Sequence, residues 1–262
     1  MGISQNKNDL IVFHTDHFIN RTITQFFAKS NNYSFFPIQK YSEDSHTFIA
    51  SYGILRGTEQ IFKKSKNFIY LDHGYIGSSG RKFNESKTTT IINLNGFFRI
   101  IKNDFYFNTS VFETNPQRFN NLNIDLKDLN KNGKNIILSE PSSYTLEFLN
   151  IPNWTQDVLN EIKKYTDRKI IIHNKFSDTP LDGLLENAFA FVSCQSTAGF
   201  KAIAQGVPGY FTHHTMQKYG NIQNIEDRKL NHELLFAAAN SQWKLCEFFS
   251  DDFKEFMHKL TI

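Results

Sequence analysis

Short apolar runs of strand length, each ending in small or polar residues and most followed by a stretch with helical spacing, recur along this chain. In the first half the runs lie at 10–13, 35–38, 47–51 and 68–71, with helical stretches at 18–30 and 57–66. In the second half they lie at 135–139, 169–173, 188–193 and 209–212. Helices are expected there over 154–165, with Asn153 as N-cap, over 181–187, and over 197–205, closed by Gly206. Strands alternating with helices predict an α/β fold with parallel sheets. Between the halves, 115–133 is rich in Asn, Asp and Lys and carries the turn signal Lys131-Asn132-Gly133. Two Rossmann-like parallel-sheet domains are therefore expected, 1–125 and 126–262, facing each other across a cleft where ligands commonly bind. The segment 231–260 reads as one or two amphipathic helices packing back on sheet surface through Leu234, Leu235, Ala238, Trp243, Leu245, Phe248 and Phe249.

Composition narrows the class further. The 262 residues are 40% hydrophobic and 21% charged, which excludes disorder, collagen and coiled coil. The longest apolar runs, such as 188–192, fall far short of the roughly 18 residues of a spanning helix. The N-terminus lacks the apolar stretch and cleavage site of a secretory signal. A cytoplasmic protein with no membrane partner is expected. Cys194 and Cys246 both sit in apolar-periodic surroundings, which predicts two buried thiols and neither a disulfide nor a zinc site. A net charge of +3 permits an anionic partner without requiring one.

Two segments carry candidate chemistry. In 189–208 a strand runs through Ser193-Cys194-Gln195-Ser196-Thr197 into a helix beginning near Ala198 and Gly199, with Gly206-Val207-Pro208 as the exit. Hydroxyls and free N–H groups at a helix start favour an anion. The same Ser-Thr pair also reads as a plain helix cap, and its place at the carboxyl end of a strand favours phosphate. The small residues Ala198 and Gly199 are expected to leave the approach open. In the other segment, Asp72-His73 ends an apolar strand and precedes Gly74, Tyr75, Gly77 and Gly80. A carboxylate or imidazole placed there can take a proton from a hydroxyl, and Asp72 is the expected base, with His73 orienting the acceptor. The glycines would let an acceptor approach the backbone. A strand-end cap and a surface histidine are the plainer reading of the pair, and if Asp72 is not the base the role passes to His73, or to Asp16 or His17 after the first strand.

The segment 193–199 together with Gly206-Val207-Pro208 resembles the nucleotide-sugar site of GT-B glycosyltransferases, a pattern shared by capsule-polysaccharide Kdo-type transferases. A nearer likeness is to a group of bacteriophage glycosyltransferases. It is carried, in order, by Tyr70-Leu71-Asp72-His73-Gly74-Tyr75, Phe97-Phe98-Arg99, the run 135–142, Thr166-Asp167-Arg168-Lys169-Ile170 and Gln242-Trp243. The resemblance spans the chain from about Ser51 onward. It implies a GT-B-like fold, an N-terminal acceptor domain, a C-terminal nucleotide-sugar domain and a UDP-sugar as co-substrate. The implied acceptor is a hydroxymethylated pyrimidine in duplex DNA, and the implied location is the cytoplasm of an infected host. Transfer to a surface polysaccharide and a non-catalytic nucleotide- or DNA-binding module are the competing functions. On this reading the donor site comprises Ser139, His173, Lys175, Ser193, Gln195, Ser196, Thr197 and Ala198. Gly74, Tyr75 and Arg99 would face acceptor or phosphate, with Arg56 a weaker candidate. No Asp-x-Asp motif follows a strand, so no tightly bound cofactor and no metal is expected to be needed; helix dipole and side-chain donors would stabilise the leaving group.

Overall fold

A computed structural model of the chain describes residues 10–43, 48–83, 90–107, 115–174 and 177–261. The chain divides into two compact units, Met1–Phe112 with Asn240–Ile262, and Glu113–Ala239. Each is an α/β unit, and the parallel pairing that the alternation predicts holds throughout the sheet of the second unit and for most of the strands of the first.

The first unit begins with β1 (Leu10–His14), α1 (Phe18–Ser30), β2 (Ser34–Pro37), β3 (Phe48–Tyr52), α2 (Thr58–Lys64) and β4 (Phe68–His73). Strands β2, β1, β3 and β4 are neighbours in that order and run parallel. Ile19, Ile23 and Phe27 recur at four-residue spacing on α1 and bury its inner face. Asn20 on the same face is a polar pin: its Oδ1 accepts from Thr15 N at 2.8 Å and its Nδ2 donates to Tyr52 O at 2.6 Å. The carboxyl ends of β1 and β3 are thereby tied together, which satisfies polar groups that burial would otherwise strand. After β4 come the hairpin strands β5 (Arg81–Phe83) and β6 (Thr90–Ile92), then β7 (Phe97–Lys102), which pairs antiparallel with β4. This antiparallel strand departs from the all-parallel expectation.

The second unit carries α3 (Gln117–Asn120), β8 (Asn135–Ser139), α4 (Ser143–Phe148), α5 (Trp154–Ile162), β9 (Ile170–His173), α6 (Leu181–Leu185), β10 (Ala188–Ser193), α7 (Ala198–Ala204), β11 (Gly209–Phe211) and α8 (His232–Asn240). Its four strands are all parallel, in the order β11-β10-β8-β9. Every residue of β10 is buried, as an inner strand covered on both faces requires. Gly206 closes α7 as expected. It adopts φ +82°, and its N–H and that of Val207 donate to Ile203 O and Ala202 O, the reversed pair of bonds that ends helices in a left-handed residue.

The chain then returns to the first unit with β12 (Gln242–Lys244), antiparallel to β7, and α9 (Asp251–Thr261). This corrects the expected division at 125/126. The terminal segment belongs with the first sheet because Trp243, Leu245, Phe248, Phe253, Met257 and Leu260 share one core with Ile23 and Phe27 of α1. Among the described residues no helix is long and apolar enough to cross a membrane.

Candidate functional site

In the first unit the expected pair Asp72 and His73 ends β4, and the register of β4 with β7 sets Asp72 opposite Arg99. Both oxygens of the carboxylate are occupied. Oδ2 accepts from Tyr70 Oη at 2.8 Å and from Arg99 Nη2 at 3.0 Å; Oδ1 accepts from the His73 backbone N–H at 2.8 Å and lies 2.7 Å from His73 Nδ1. The Asp72 side chain is 14% exposed and that of His73 28%. With a carboxylate as acceptor, Nδ1 carries the hydrogen, which leaves Nε2 as the unprotonated nitrogen of the neutral ring. His73 Nε2 has no hydrogen-bond partner among the described residues. A carboxylate that already accepts four hydrogen bonds is a weak base, because each donor stabilises its charged form.

Arg99 does not extend toward a ligand. It is 7% exposed, its Nη2 also lies 3.5 Å from Phe105 O, and its guanidinium stands over the rings of Tyr70 and Tyr75 at 5.9 and 5.3 Å from their centroids. Burial works against its charge, but Asp72 and Tyr70 outweigh that and hold its pKa above the ordinary arginine range. Burial and the Asp72 charge push the Tyr70 phenol well above its usual range.

The expected acceptor contacts Gly74 and Tyr75 are packed inside. A Cβ on Gly74 would stand 2.7 Å from Phe97 Cβ and from Gln242 Oε1, so the missing side chain serves backbone packing and not ligand approach. Tyr75 is buried and its hydroxyl donates to Tyr106 O. Gln242, whose resemblance motif gave no role, clamps the segment: its Oε1 accepts from Tyr75 N at 2.7 Å and Ile76 N at 3.1 Å, and its Nε2 donates to Ile76 O at 2.8 Å. Arg56 is exposed, with φ +65°, on the loop between β3 and α2.

In the second unit the pairing register brings three expected donor residues into one row. Ser139 of β8 is opposite Ser193 of β10 on one side and His173 of β9 on the other, at the carboxyl edge of the parallel sheet. Ligands of open parallel sheets bind outside that edge. Asn174, which the sequence reading set with His173 at this edge, and Glu140 follow directly: Glu140 accepts from Thr155 Oγ1 at 2.8 Å and from Asn174 Nδ2 at 3.3 Å. Lys175 lies outside the described residues.

The turn after β10 differs from expectation in two respects. Four of its N–H groups are taken: Ser196 N donates to Ser193 Oγ, Ala198 N to Ser196 Oγ, Gly199 N to Ser196 O and Phe200 N to Thr197 O. Ser196 thus acts as the cap that the plainer reading foresaw, next to Thr197 at the N-cap position. Gly199 does not open an approach either, because a Cβ there would stand 2.6 Å from the Phe211 ring. Gln195 is half-buried, and its Oε1 is buried without a hydrogen-bond partner among the described residues. An orphaned amide oxygen of this kind calls for a donor from a ligand or a water.

Thr166 and Arg168, also in a resemblance motif, sit just before the opposite end of the sheet. Arg168 forms a two-point pair with Glu226 at 3.0 and 3.2 Å and stacks on Phe189, a structural lock. Cys194 is buried as expected, and burial pushes its thiol up; Cys246 is exposed, against expectation, in the short turn that follows β12.

No family model matches the chain, and no curated protein matches it in sequence. Among solved structures it is similar to Thermosulfurimonas dismutans KpsC, a beta Kdo 2,7 transferase, at 10% identity and a TM-score of 0.45, over 95% of this chain and 98% of that one.

Proposed function

We infer that this chain is a glycosyltransferase moving a sugar from a nucleotide diphosphate donor to a hydroxyl acceptor. The observation that carries the reading is the polar row Ser139, His173 and Ser193 across three adjacent strand ends, with the unpartnered Gln195 oxygen on the turn that follows. Sugar hydroxyls supply the donors that such an oxygen lacks, and the resemblance of the motifs to GT-B glycosyltransferases agrees. The donor site comprises these residues with Ser196, Thr197 and Ala198.

The acceptor hydroxyl attacks the anomeric carbon, the bond from that carbon to the diphosphate oxygen breaks, and its electron pair leaves on the diphosphate. The hydroxyl proton goes to His73 Nε2. Asp72, with both oxygens engaged, holds the imidazole; this reverses the roles first assigned to the pair. One displacement at the anomeric carbon inverts its configuration. The acceptor implied by the resemblance is the hydroxymethyl group of a modified cytosine or uracil in duplex DNA, flipped from the stack to reach the base. The phage origin and the host-cell cytoplasm belong to the same proposal.

The test incubates the protein with UDP-sugars and other nucleotide sugars together with hydroxymethylated DNA, plain DNA or oligosaccharide, and weighs the products by mass spectrometry. A hexose-sized mass gain on hydroxymethylated DNA alone is the expected result. Transfer only to oligosaccharide would overturn the DNA acceptor, and binding without consumption of any nucleotide sugar would overturn catalysis.

A further inference from the structure

Arg99 is a buried charge that the transfer chemistry above does not use. A buried arginine and carboxylate are costly to desolvate, and an apolar pair of similar volume is often as stable, so such a pair is weak evidence for a purely structural role. Here the arginine is also imperfectly satisfied, since its Nε is buried with no hydrogen-bond partner among the described residues. What the pair does achieve is geometric. Arg99 Nη2 and Tyr70 Oη both bind Asp72 Oδ2, one from β7 and one from β4 itself. With that oxygen fixed from two sides the carboxylate cannot rotate, and Oδ1 is left facing His73 Nδ1 at 2.7 Å. The geometry points to Arg99 and Tyr70 as positioning residues that hold Asp72 so that neutral His73 carries its hydrogen on Nδ1 and presents Nε2 to the acceptor.

The chain of contacts is continuous: guanidinium and phenol, carboxylate, imidazole. A carboxylate on one imidazole nitrogen selects the tautomer only while its own orientation is held. Without Arg99, Asp72 loses a donor that fixes Oδ2 and is freer to turn away. The role rests on the reading of His73 as proton acceptor, but the tautomer itself can be measured without any substrate.

The experiment is nitrogen-15 NMR of the histidine side chains in the full chain, wild type against Arg99→Met, Arg99→Lys and Tyr70→Phe, with the His73 signal assigned by its loss in His73→Gln. Wild-type neutral His73 is expected almost wholly in the Nδ1–H form. Arg99→Met should shift the tautomer ratio at least tenfold toward Nε2–H, Arg99→Lys by less, and Tyr70→Phe, which removes a single hydroxyl, in the same direction. Where transfer is measured, kcat should fall in the same order with donor KM unchanged. An unaltered His73 tautomer in folded Arg99→Met, or in Tyr70→Phe if the methionine variant does not fold, overturns the proposal. A tautomer shift in a protein that turns over no nucleotide sugar would uphold the positioning role and reject the transferase reading instead.

Discussion

Gln242→Leu should be among the most damaging single substitutions of a polar residue in the first unit. Leucine fills similar volume, so little cavity is created, but three hydrogen bonds disappear. The Tyr75 N–H is buried and stays unsatisfied, which costs about 1–3 kcal/mol; the Ile76 N–H and C=O are half-exposed and cost roughly half as much each. The sum is about 4 kcal/mol, a large share of the roughly 5–15 kcal/mol that folded domains possess. For a chain of this size it corresponds to a fall in Tm of roughly 7 °C. Urea unfolding followed by circular dichroism gives the free energy, and hydrogen exchange at Tyr75 gives the local effect. A loss below about 1 kcal/mol with the Tyr75 amide as protected as in wild type would refute the reasoning, because the clamp would then bind nothing that water cannot replace.

Other outcomes follow from the same geometry. Asp72→Asn leaves Arg99 buried without its counter-charge and should cost about 3–5 kcal/mol of stability, so any loss of turnover must be read on protein shown to be folded by circular dichroism. Gly199→Ala should destabilise by about 1–3 kcal/mol in thermal melts, because the new Cβ meets the Phe211 ring. Burial pushes the Tyr210 phenol up to about 12, and the sign follows from holding its proton in the folded state. Its contribution is intact below the unfolded value near pH 10 and is lost as pH rises through 12. The stability gap between wild type and Tyr210→Phe should therefore narrow by about 2 kcal/mol between pH 8 and pH 11.5 in urea titrations.

Much of the scaffold was legible because its strands are inner strands. Runs such as Phe68–Leu71 and Ala188–Val192 are apolar throughout, which marks burial on both faces, and the Schellman close at Gly206 was signalled by the glycine before Val207-Pro208. β7 was not read as a strand, although Phe97–Lys102 is as buried as β4, because its direction is set by pairing with β4 and by nothing local. β12 is three residues long, too short for any periodicity, and its presence moved the terminal helix into the first unit. The sequence placed Asp72, His73, Ser139, His173 and Ser193 at strand ends, where the structure has them. What the sequence could not express was which atoms were already taken: Arg99 looked available and is bound to Asp72, and the hydroxyl of Ser196 caps its own turn.

The role proposed for His73, held by Asp72, is to take the acceptor proton in glycosyl transfer. Its most direct test is turnover of His73→Gln against wild type at saturating nucleotide sugar, with donor affinity measured separately by calorimetry. Glutamine keeps polarity but cannot serve as the base, so turnover should fall roughly 100-fold or more while donor affinity stays within about twofold. Equal turnover in folded His73→Gln, or a wild-type protein that consumes no nucleotide sugar with any hydroxyl acceptor, would contradict the account.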